Sequence, residues 1–153
     1  MKKLLTSIIL LGCSCATLYQ PESFSGGYYE TQIDEATFNI KFNGNGYTSY
    51  DKVEIYLLYR AAEITNKHGF NYFIIVSSNI DFNTQYFKEN DSFSVTKNYD
   101  GSYSGTINQG RVHSIRKPYG NILIKGFLEE PKENKNFFNA HSLLDYLAKE
   151  INI

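Results

Sequence analysis

Residues 48–76 have the sequence TSYDKVEIYLLYRAAEITNKHGFNYFIIV, which holds a helix pattern followed by a strand pattern. Thr48 is a favourable N-cap residue, and Gly69 stands where a helix commonly ends in a left-handed residue. Between them, four apolar residues recur at the spacing of one helix face: Val53, Leu57, Ala61 and Ile64. The apolar run at 72–76 predicts a central strand that is covered on both of its faces.

Further strand and helix patterns lie on both sides of this stretch. Residues 28–33 and 37–42 are rich in aromatic and β-branched residues, and the polar break between them predicts a β-hairpin. Residues 122–128 also have strand character. Near the C-terminus, Asn139 is a favourable N-cap residue for a helix whose apolar residues fall on one face: Ala140, Leu143, Leu144, Leu147, Ala148 and Ile151.

Residues 79–119 differ from the rest of the chain in their polar composition. They are rich in Asn, Ser, Thr, Tyr and Gly, and the pair Asp100-Gly101 favours a type I′ turn. We therefore predict a polar hairpin insertion that projects from the domain. The chain as a whole is predicted to be α+β, with a single sheet of about four to six strands, two helices packed on it and the order ββαβ(ββ)βα.

The composition argues against several classes of protein. The chain has 153 residues, 15 Lys+Arg and 16 Asp+Glu, so its formal net charge is −1. The length favours one domain, and the net charge argues against a nucleic-acid partner, which would need a basic surface. Both cysteines, Cys13 and Cys15, lie near the start of the chain. We therefore expect no disulfide framework within the domain and no cysteine-based zinc site, and we predict no metal or cofactor.

The N-terminus has the pattern of a bacterial lipoprotein signal. Lys2 and Lys3 precede a short apolar run at 4–11, and the Leu-Leu-Gly-Cys sequence at 10–13 resembles a lipobox. The resemblance implies cleavage before Cys13, a diacylglycerol on the sulfur of that residue and an acylated amine. The alternative is an ordinary secretory signal with two incidental cysteines.

These patterns predict the organisation of the chain and its location. Residues 1–12 are expected to be a cleaved signal peptide, 13–27 a lipidated tether, and 28–153 a single α+β domain with the polar insertion at about 79–119. A lipid-anchored protein of this kind has the bilayer as its partner. Because Ser14 rather than Asp follows the lipidated position, we expect the outer membrane, with the domain facing the periplasm.

Arg60 is a charged residue on the apolar face of the first predicted helix, between Val53 and Ile64. A buried guanidinium without a partner is very costly, so we predict an ion pair with Glu63, one turn further on, or with Glu30 on a neighbouring strand. We expect this pair to have a structural role, with a ligand site as the alternative.

Candidate binding residues are concentrated in the polar insertion. Four tyrosines form a candidate binding surface, although exposed strands also use aromatic residues for cross-strand packing: Tyr86, Tyr99, Tyr103 and Tyr119. The three histidines have no histidine partner at helical spacing, and the common zinc-protease, redox and serine-hydrolase motifs are missing from the sequence. We therefore predict no catalytic residues.

Several segments together resemble the CC0125/CC1285 type of uncharacterised bacterial lipoproteins. The segments with the greatest resemblance are Phe42-Asn-Gly-Asn-Gly-Tyr-Thr48, Leu58-Tyr-Arg-Ala-Ala-Glu-Ile-Thr65 and Gly69-Phe-Asn-Tyr-Phe73. The resemblance implies a lipoprotein with a single compact domain, and it carries no known activity, ligand or catalytic residue.

The leading hypothesis is a membrane-anchored envelope lipoprotein that binds an envelope protein or a glycan and is not an enzyme. One alternative is a small envelope hydrolase or transferase with His113 or His141 as its base. Another is a purely structural component of the envelope. The sequence leaves the oligomeric state open.

Overall fold

The computed structural model describes residues 16–133 and 136–151, and it confirms the predicted α+β class. The five-stranded main sheet has the order β1-β2-β6-β3-β7, and β4 and β5 form a separate two-stranded sheet. The elements are β1 (Gly27–Gln32), β2 (Thr37–Asn43), α1 (Tyr50–Lys67), β3 (Tyr72–Lys88), β4 (Ser92–Lys97), β5 (Tyr103–Asn108), β6 (Val112–Phe127), β7 (Phe138–Asn139) and α2 (Ala140–Ile151).

The core lies between α1 and one face of the main sheet. Alternate residues of β2 are buried against the helix, which confirms the half-buried strand: Phe38, Ile40 and Phe42. The predicted face of α1 is buried as well: Val53, Leu57, Ala61 and Ile64. The second helix packs beside the first, with Ala140 and Leu147 buried, and the Asn139 side chain accepts a hydrogen bond from the Ser142 N–H at 2.9 Å. The predicted N-cap of α2 is therefore confirmed.

The first helix begins one residue later than predicted. Ser49, not Thr48, is its N-cap, because the Ser49 hydroxyl accepts a hydrogen bond from the Lys52 N–H at 3.2 Å. Thr48 is buried, and its hydroxyl oxygen instead accepts from the Thr17 N–H at 3.0 Å. At the other end of the helix, Gly69 has φ +81°, which confirms the predicted left-handed residue.

The strand that begins at Tyr72 is neither central nor covered on both faces, so that prediction is wrong. The central strand is β6, which pairs with β2 on one side and with β3 on the other. After Phe73, β3 pairs only with β6 among the described residues, and Val76 is 54% exposed. A continuous apolar run does not distinguish a strand buried on both faces from a strand next to the edge of a sheet.

The predicted projecting insertion is present, and it is longer than a simple hairpin. Beyond the main sheet, β3 and β6 continue as a two-stranded ribbon, from the pair Phe82 and Pro118 to the pair Lys88 and Val112. The β4–β5 hairpin follows at its far end, and all of its strand residues are exposed. We call residues 82–118 the arm.

The turn of the distal hairpin differs from the predicted two-residue type I′ turn. Asn98 and Ser102 enclose a three-residue loop, because the Asn98 N–H donates to the Ser102 carbonyl at 2.8 Å. The Gly101 N–H also donates to the Asn98 carbonyl at 3.0 Å, and Gly101 has φ +87°. Tyr99 therefore belongs to the loop. A type I′ turn at Asp100-Gly101 would instead have placed Tyr99 in a strand.

The segment predicted to be a tether is folded onto the domain from residue 17 onward. Thr17 is 2% exposed, and the Tyr28 N–H donates to the Gln20 carbonyl at 2.9 Å. Gly26 adopts φ +98°, and a Cβ there would lie 2.2 Å from the Asn43 carbonyl oxygen, so the close turn requires glycine. The tether prediction is therefore wrong for residues 17–27. The signal peptide and Cys13 lie outside the described residues, and within those residues no helix has the length and apolarity needed to cross a membrane.

Candidate functional site

Arg60 forms the predicted ion pairs, and it does so with both candidate carboxylates at once. Its Nη2 lies 2.7 Å from Glu30 Oε1, and its Nη1 lies 2.8 Å from Glu63 Oε2. The three side chains are 14%, 25% and 31% exposed, respectively. The helix α1 and the strand β1 are therefore joined by a guanidinium between two carboxylates, in a partly desolvated position where such hydrogen bonds are strong.

Two tyrosines complete this cluster, and one of them comes from the N-terminal segment. The Tyr19 hydroxyl donates to the Glu63 carboxylate, and the Arg60 guanidinium carbon lies 4.1 Å from the centre of the Tyr28 ring. Burial and the hydrogen bond to Glu63 raise the pKa of Tyr19 above its ordinary value. Burial acts to lower the pKa of Arg60, but the hydrogen bonds to Glu30 and Glu63 outweigh it and raise the pKa overall.

Tyr19 was not predicted as part of this cluster, because the composition of residues 13–27 is typical of a tether. The pair of glycines at 26–27 was the available signal, since two adjacent glycines permit a tight turn that folds the segment back. The charged groups of this cluster form ion pairs with one another. It fastens the N-terminal segment, β1 and α1 together, which supports the predicted structural role of Arg60.

The face of the main sheet opposite α1, here called the open face, is polar and accessible. Cross-strand register places Asn43 opposite Tyr119, and Lys117 opposite Asn83. The polar residues of the open face lie on the three strands β2, β6 and β3 beside the half-buried Leu123: Asn39, Lys41, Asn43, Lys117, Tyr119, Asn121, Asn79, Asp81, Asn83 and Gln85. Side chains directly opposite one another on a sheet lie within about 5.5 Å at Cβ, so these amides and amines form a continuous surface.

A cavity of about 440 Å³ opens on this face where the arm leaves the sheet. We call it the carboxamide groove, and it is lined by Asn43, Gly44, Asn83, Gln85, Lys117, Pro118 and Tyr119. Lys117 is half-buried and forms no ion pair with any residue of the described chain. It also lines two adjoining cavities, one with the loop 45–47 and one with the segment 22–26. The groove therefore presents one ammonium group, one aromatic ring and three carboxamides, of which that of Asn43 already donates to Glu22 Oε1 at 2.6 Å.

The four predicted tyrosines do not form one surface. Tyr119 lines the carboxamide groove, whereas Tyr86 lies five positions along the ribbon from Asp81, the residue opposite Tyr119. Because side chains alternate between the faces of a strand, Tyr86 and Tyr119 point to opposite sides. Tyr99 lies in the distal turn and Tyr103 in β5, and both are exposed. The sequence does not show strand register, so it could not separate these residues.

The histidines lie on three separate elements. The His68 ring packs against Phe38 at 4.5 Å between ring centres. His113 lies on the arm and its Nε2 is 2.8 Å from Glu89 Oε1, while His141 on α2 is 3.7 Å from Asp145. Neither of the two histidines proposed as a base lines the carboxamide groove. Within the described ranges, no group of three His, Cys, Asp or Glu side chains is placed to hold a metal ion.

Comparison with known proteins finds no counterpart to this site. The chain matches no family model, and it matches no curated protein and no solved structure.

Proposed function

We propose that this protein is a lipid-anchored lipoprotein of the bacterial envelope that binds a glycan in the carboxamide groove and does not catalyse a reaction. The observation that carries the proposal is the groove itself, where Asn43, Asn83, Gln85 and Lys117 surround one cavity beside the ring of Tyr119. The groove lies on three hydrogen-bonded strands, so its side chains are held by a rigid scaffold.

Glycan binding fits the chemistry of these groups. A carboxamide offers a fixed donor and a fixed acceptor, which suits neighbouring hydroxyl groups that can both donate and accept. A tyrosine ring offers an apolar face for the C–H face of a sugar together with a polar hydroxyl. The Lys117 ammonium suits a carboxylate on the glycan. Such substituents are common on the saccharides of the bacterial cell wall.

The anchor is the second part of the proposal. A lipobox ending at Cys13 and a resemblance to CC0125/CC1285-type lipoproteins support attachment to the membrane through an acylated cysteine. Ser14 supports the outer membrane, with the domain in the periplasm. A glycan in the adjacent cell wall would then be within reach of the groove.

Substitution of Cys13 tests the anchor. We expect Cys13→Ala to abolish incorporation of labelled palmitate and to move the protein from the membrane fraction to the soluble fraction. The matched control is Cys15→Ala, which removes the neighbouring thiol and is expected to leave both measurements unchanged. Equal palmitate incorporation in Cys13→Ala and in the unaltered protein would contradict attachment at Cys13.

Substitution of Lys117 tests the groove. Hydrogen bonds to charged groups contribute about 1.5–3 kcal/mol, so Lys117→Met is expected to weaken binding of muropeptides by roughly tenfold to a hundredfold. Titration calorimetry with muropeptides released by a muramidase measures this change. A chitin oligosaccharide, which lacks the carboxylate, should bind Lys117→Met and the unaltered protein with similar affinity.

Two further variants distinguish the groove from the remainder of the ribbon. Gln85→Ala removes a carboxamide from the groove and should weaken the binding of both saccharides. Thr84→Ala alters the adjacent residue, which points to the opposite face of the same strand, and should have no effect. If neither saccharide binds to the unaltered protein, or if Thr84→Ala and Gln85→Ala behave alike, glycan binding in the groove is wrong.

A further inference from the structure

The distal hairpin of the arm has one apolar face and one polar face. Cross-strand pairs on its apolar face bring together Phe93 with Ile107, and Val95 with Gly105. The pairs on the other face consist of Ser, Thr and Asn only: Ser92 with Asn108, Ser94 with Thr106, and Thr96 with Ser104. Phe93, Val95 and Ile107 are 66%, 57% and 71% exposed. The apolar face is therefore uncovered within the described part of the chain.

Such a hairpin needs a covering surface. A two-stranded hairpin in water is at best marginally stable by itself, and here the exposed face carries large apolar side chains. The segment 92–108 contains only two charged residues, Asp100 in the turn and Lys97, which pairs with Tyr103 at the turn end of the apolar face. The long Lys97 side chain can keep its ammonium group at the polar edge, so little charge would have to be desolvated. Tyr99 in the turn and Tyr103 beside the apolar face are aromatic residues of the kind that concentrates at membrane–water interfaces.

The position of Thr17, near the start of the described chain, indicates what covers this face. The Thr17 N–H donates to the Thr48 hydroxyl, and the Thr17 hydroxyl accepts from the Asn45 N–H, both at 3.0 Å. Thr17 is therefore fixed at the loop that follows β2. Four residue steps separate it from Cys13, and an extended chain advances by at most ~3.6 Å per residue, so the chain allows at most about 14 Å between the Cα atoms of Thr17 and Cys13.

The arm leaves the domain at the same loop. The Gly44 N–H donates to the Pro118 carbonyl at 2.8 Å, and a Cβ on Gly46 would lie 2.6 Å from Ile115 Cγ2. From Pro118 to Val112 the ribbon extends six residue steps, about 20 Å, before the distal hairpin begins. The arm is thus longer than the chain available between the loop and Cys13. A bilayer held at Cys13 is therefore within reach of the arm.

We propose that the apolar face of the distal hairpin lies in the interface of the membrane to which the protein is anchored. The proposal rests on the lipid anchor proposed above, and it does not depend on glycan binding. The Ser and Thr face remains towards the lipid headgroups and water, as do the unpaired strand edges, because hydrocarbon cannot satisfy free backbone N–H and C=O groups. The hairpin therefore lies along the surface and does not cross the bilayer.

The test places a polarity-sensitive fluorophore on each face of the hairpin in the full-length lipidated protein. In a Cys15→Ser background, NBD is attached to Val95→Cys or, as the matched control, to Ser94→Cys, one position along the same strand. The proteins are reconstituted in phosphatidylethanolamine and phosphatidylglycerol vesicles with and without nitroxide-labelled lipids. We expect a blue shift and nitroxide quenching at position 95, and the emission of an aqueous fluorophore at position 94.

The outcomes distinguish this proposal from the anchor on which it rests. Mass spectrometry of each sample shows whether Cys13 carries the lipid, and a protein without the lipid overturns both proposals. A lipidated protein in which positions 94 and 95 give the same aqueous emission overturns only the membrane contact of the hairpin. A blue shift at position 95 without nitroxide quenching also overturns it, and points to a second copy of the chain as the cover.

Discussion

Replacing Arg60 with alanine is expected to lower the free energy of unfolding by about 3 kcal/mol, because it leaves two carboxylates facing each other in a partly desolvated cluster. Glu30 and Glu63 both bind the guanidinium directly, and the Tyr19 hydroxyl donates to Glu63. The breaking of a fully buried ion pair costs about 3–5 kcal/mol. The exposure of Glu30 and Glu63, 25% and 31%, places this cluster at the lower end of that range.

The variant Arg60→Met separates the packing of the side-chain stem from its charge. Methionine keeps an apolar chain of similar length against the Tyr28 ring, which the guanidinium now covers at 4.1 Å. We expect Arg60→Met to be more stable than Arg60→Ala by about 1 kcal/mol, since a long stem covers apolar surface that alanine leaves empty. Urea denaturation followed by circular dichroism measures both differences.

A charge on the exposed side of the same helix provides the control. Lys67 lies in the last turn of α1 and is exposed, so Lys67→Ala is expected to change the free energy of unfolding by no more than about 0.5 kcal/mol. Equal stability of Arg60→Ala and Arg60→Met would contradict a role for the stem. A loss from Arg60→Ala no larger than that from Lys67→Ala would contradict the importance of the ion pairs.

The parts of the fold that depend on local patterns were predicted from the sequence. The buried face of α1 follows from helical spacing, and the alternation around Phe38 and Ile40 follows from strand geometry. The position of β3 in the sheet could not be predicted in the same way. An apolar run predicts a strand, but the covering of its faces and its neighbours in the sheet depend on packing and hydrogen bonds with distant residues.

Less of the candidate site than of the fold could be predicted from the sequence. Lys117 and Asn83 are 34 positions apart in the sequence, and they lie opposite each other only because of the register between β3 and β6. Arg60 was identified from the sequence because a single charged residue on an otherwise apolar helix face is unusual, and helical spacing alone reveals it. No comparable local contrast marks Lys117, which stands among other polar residues.

Gly120→Val is expected to destabilise the protein strongly, because Gly120 lies directly under α1, against Leu57 and Val53. A Cβ at this position would lie 2.4 Å from Leu57 Cδ1 and 3.0 Å from Val53 Cγ1. Both of these residues are almost completely buried, which leaves them little room to move. Overpacking of a core costs about 1–3 kcal/mol, and Gly120→Val adds three carbons at the contact, so we expect a loss of about 3 kcal/mol.

The adjacent residue on β6 provides a control with the same introduced side chain. Asn121 points to the open face, and its Oδ1 is buried without a hydrogen-bond partner in the described part of the protein. Asn121→Val removes this unsatisfied atom, so it is expected to leave stability unchanged or to raise it by about 1 kcal/mol. Urea denaturation of the two variants compares the helix side of the strand with its open side. Similar losses from both would contradict steric overlap with α1 as the cause.

A second substitution tests whether the overlap is with Leu57 itself. Leu57→Ala alone should cost about 2–5 kcal/mol, because it leaves a cavity between α1 and the sheet. In the double variant with Gly120→Val, the valine methyl groups can occupy this space. The combined loss should therefore be smaller than the sum of the separate losses by at least about 1 kcal/mol. Strict additivity would mean that the valine overlaps with Val53 and Ile80 and not with Leu57.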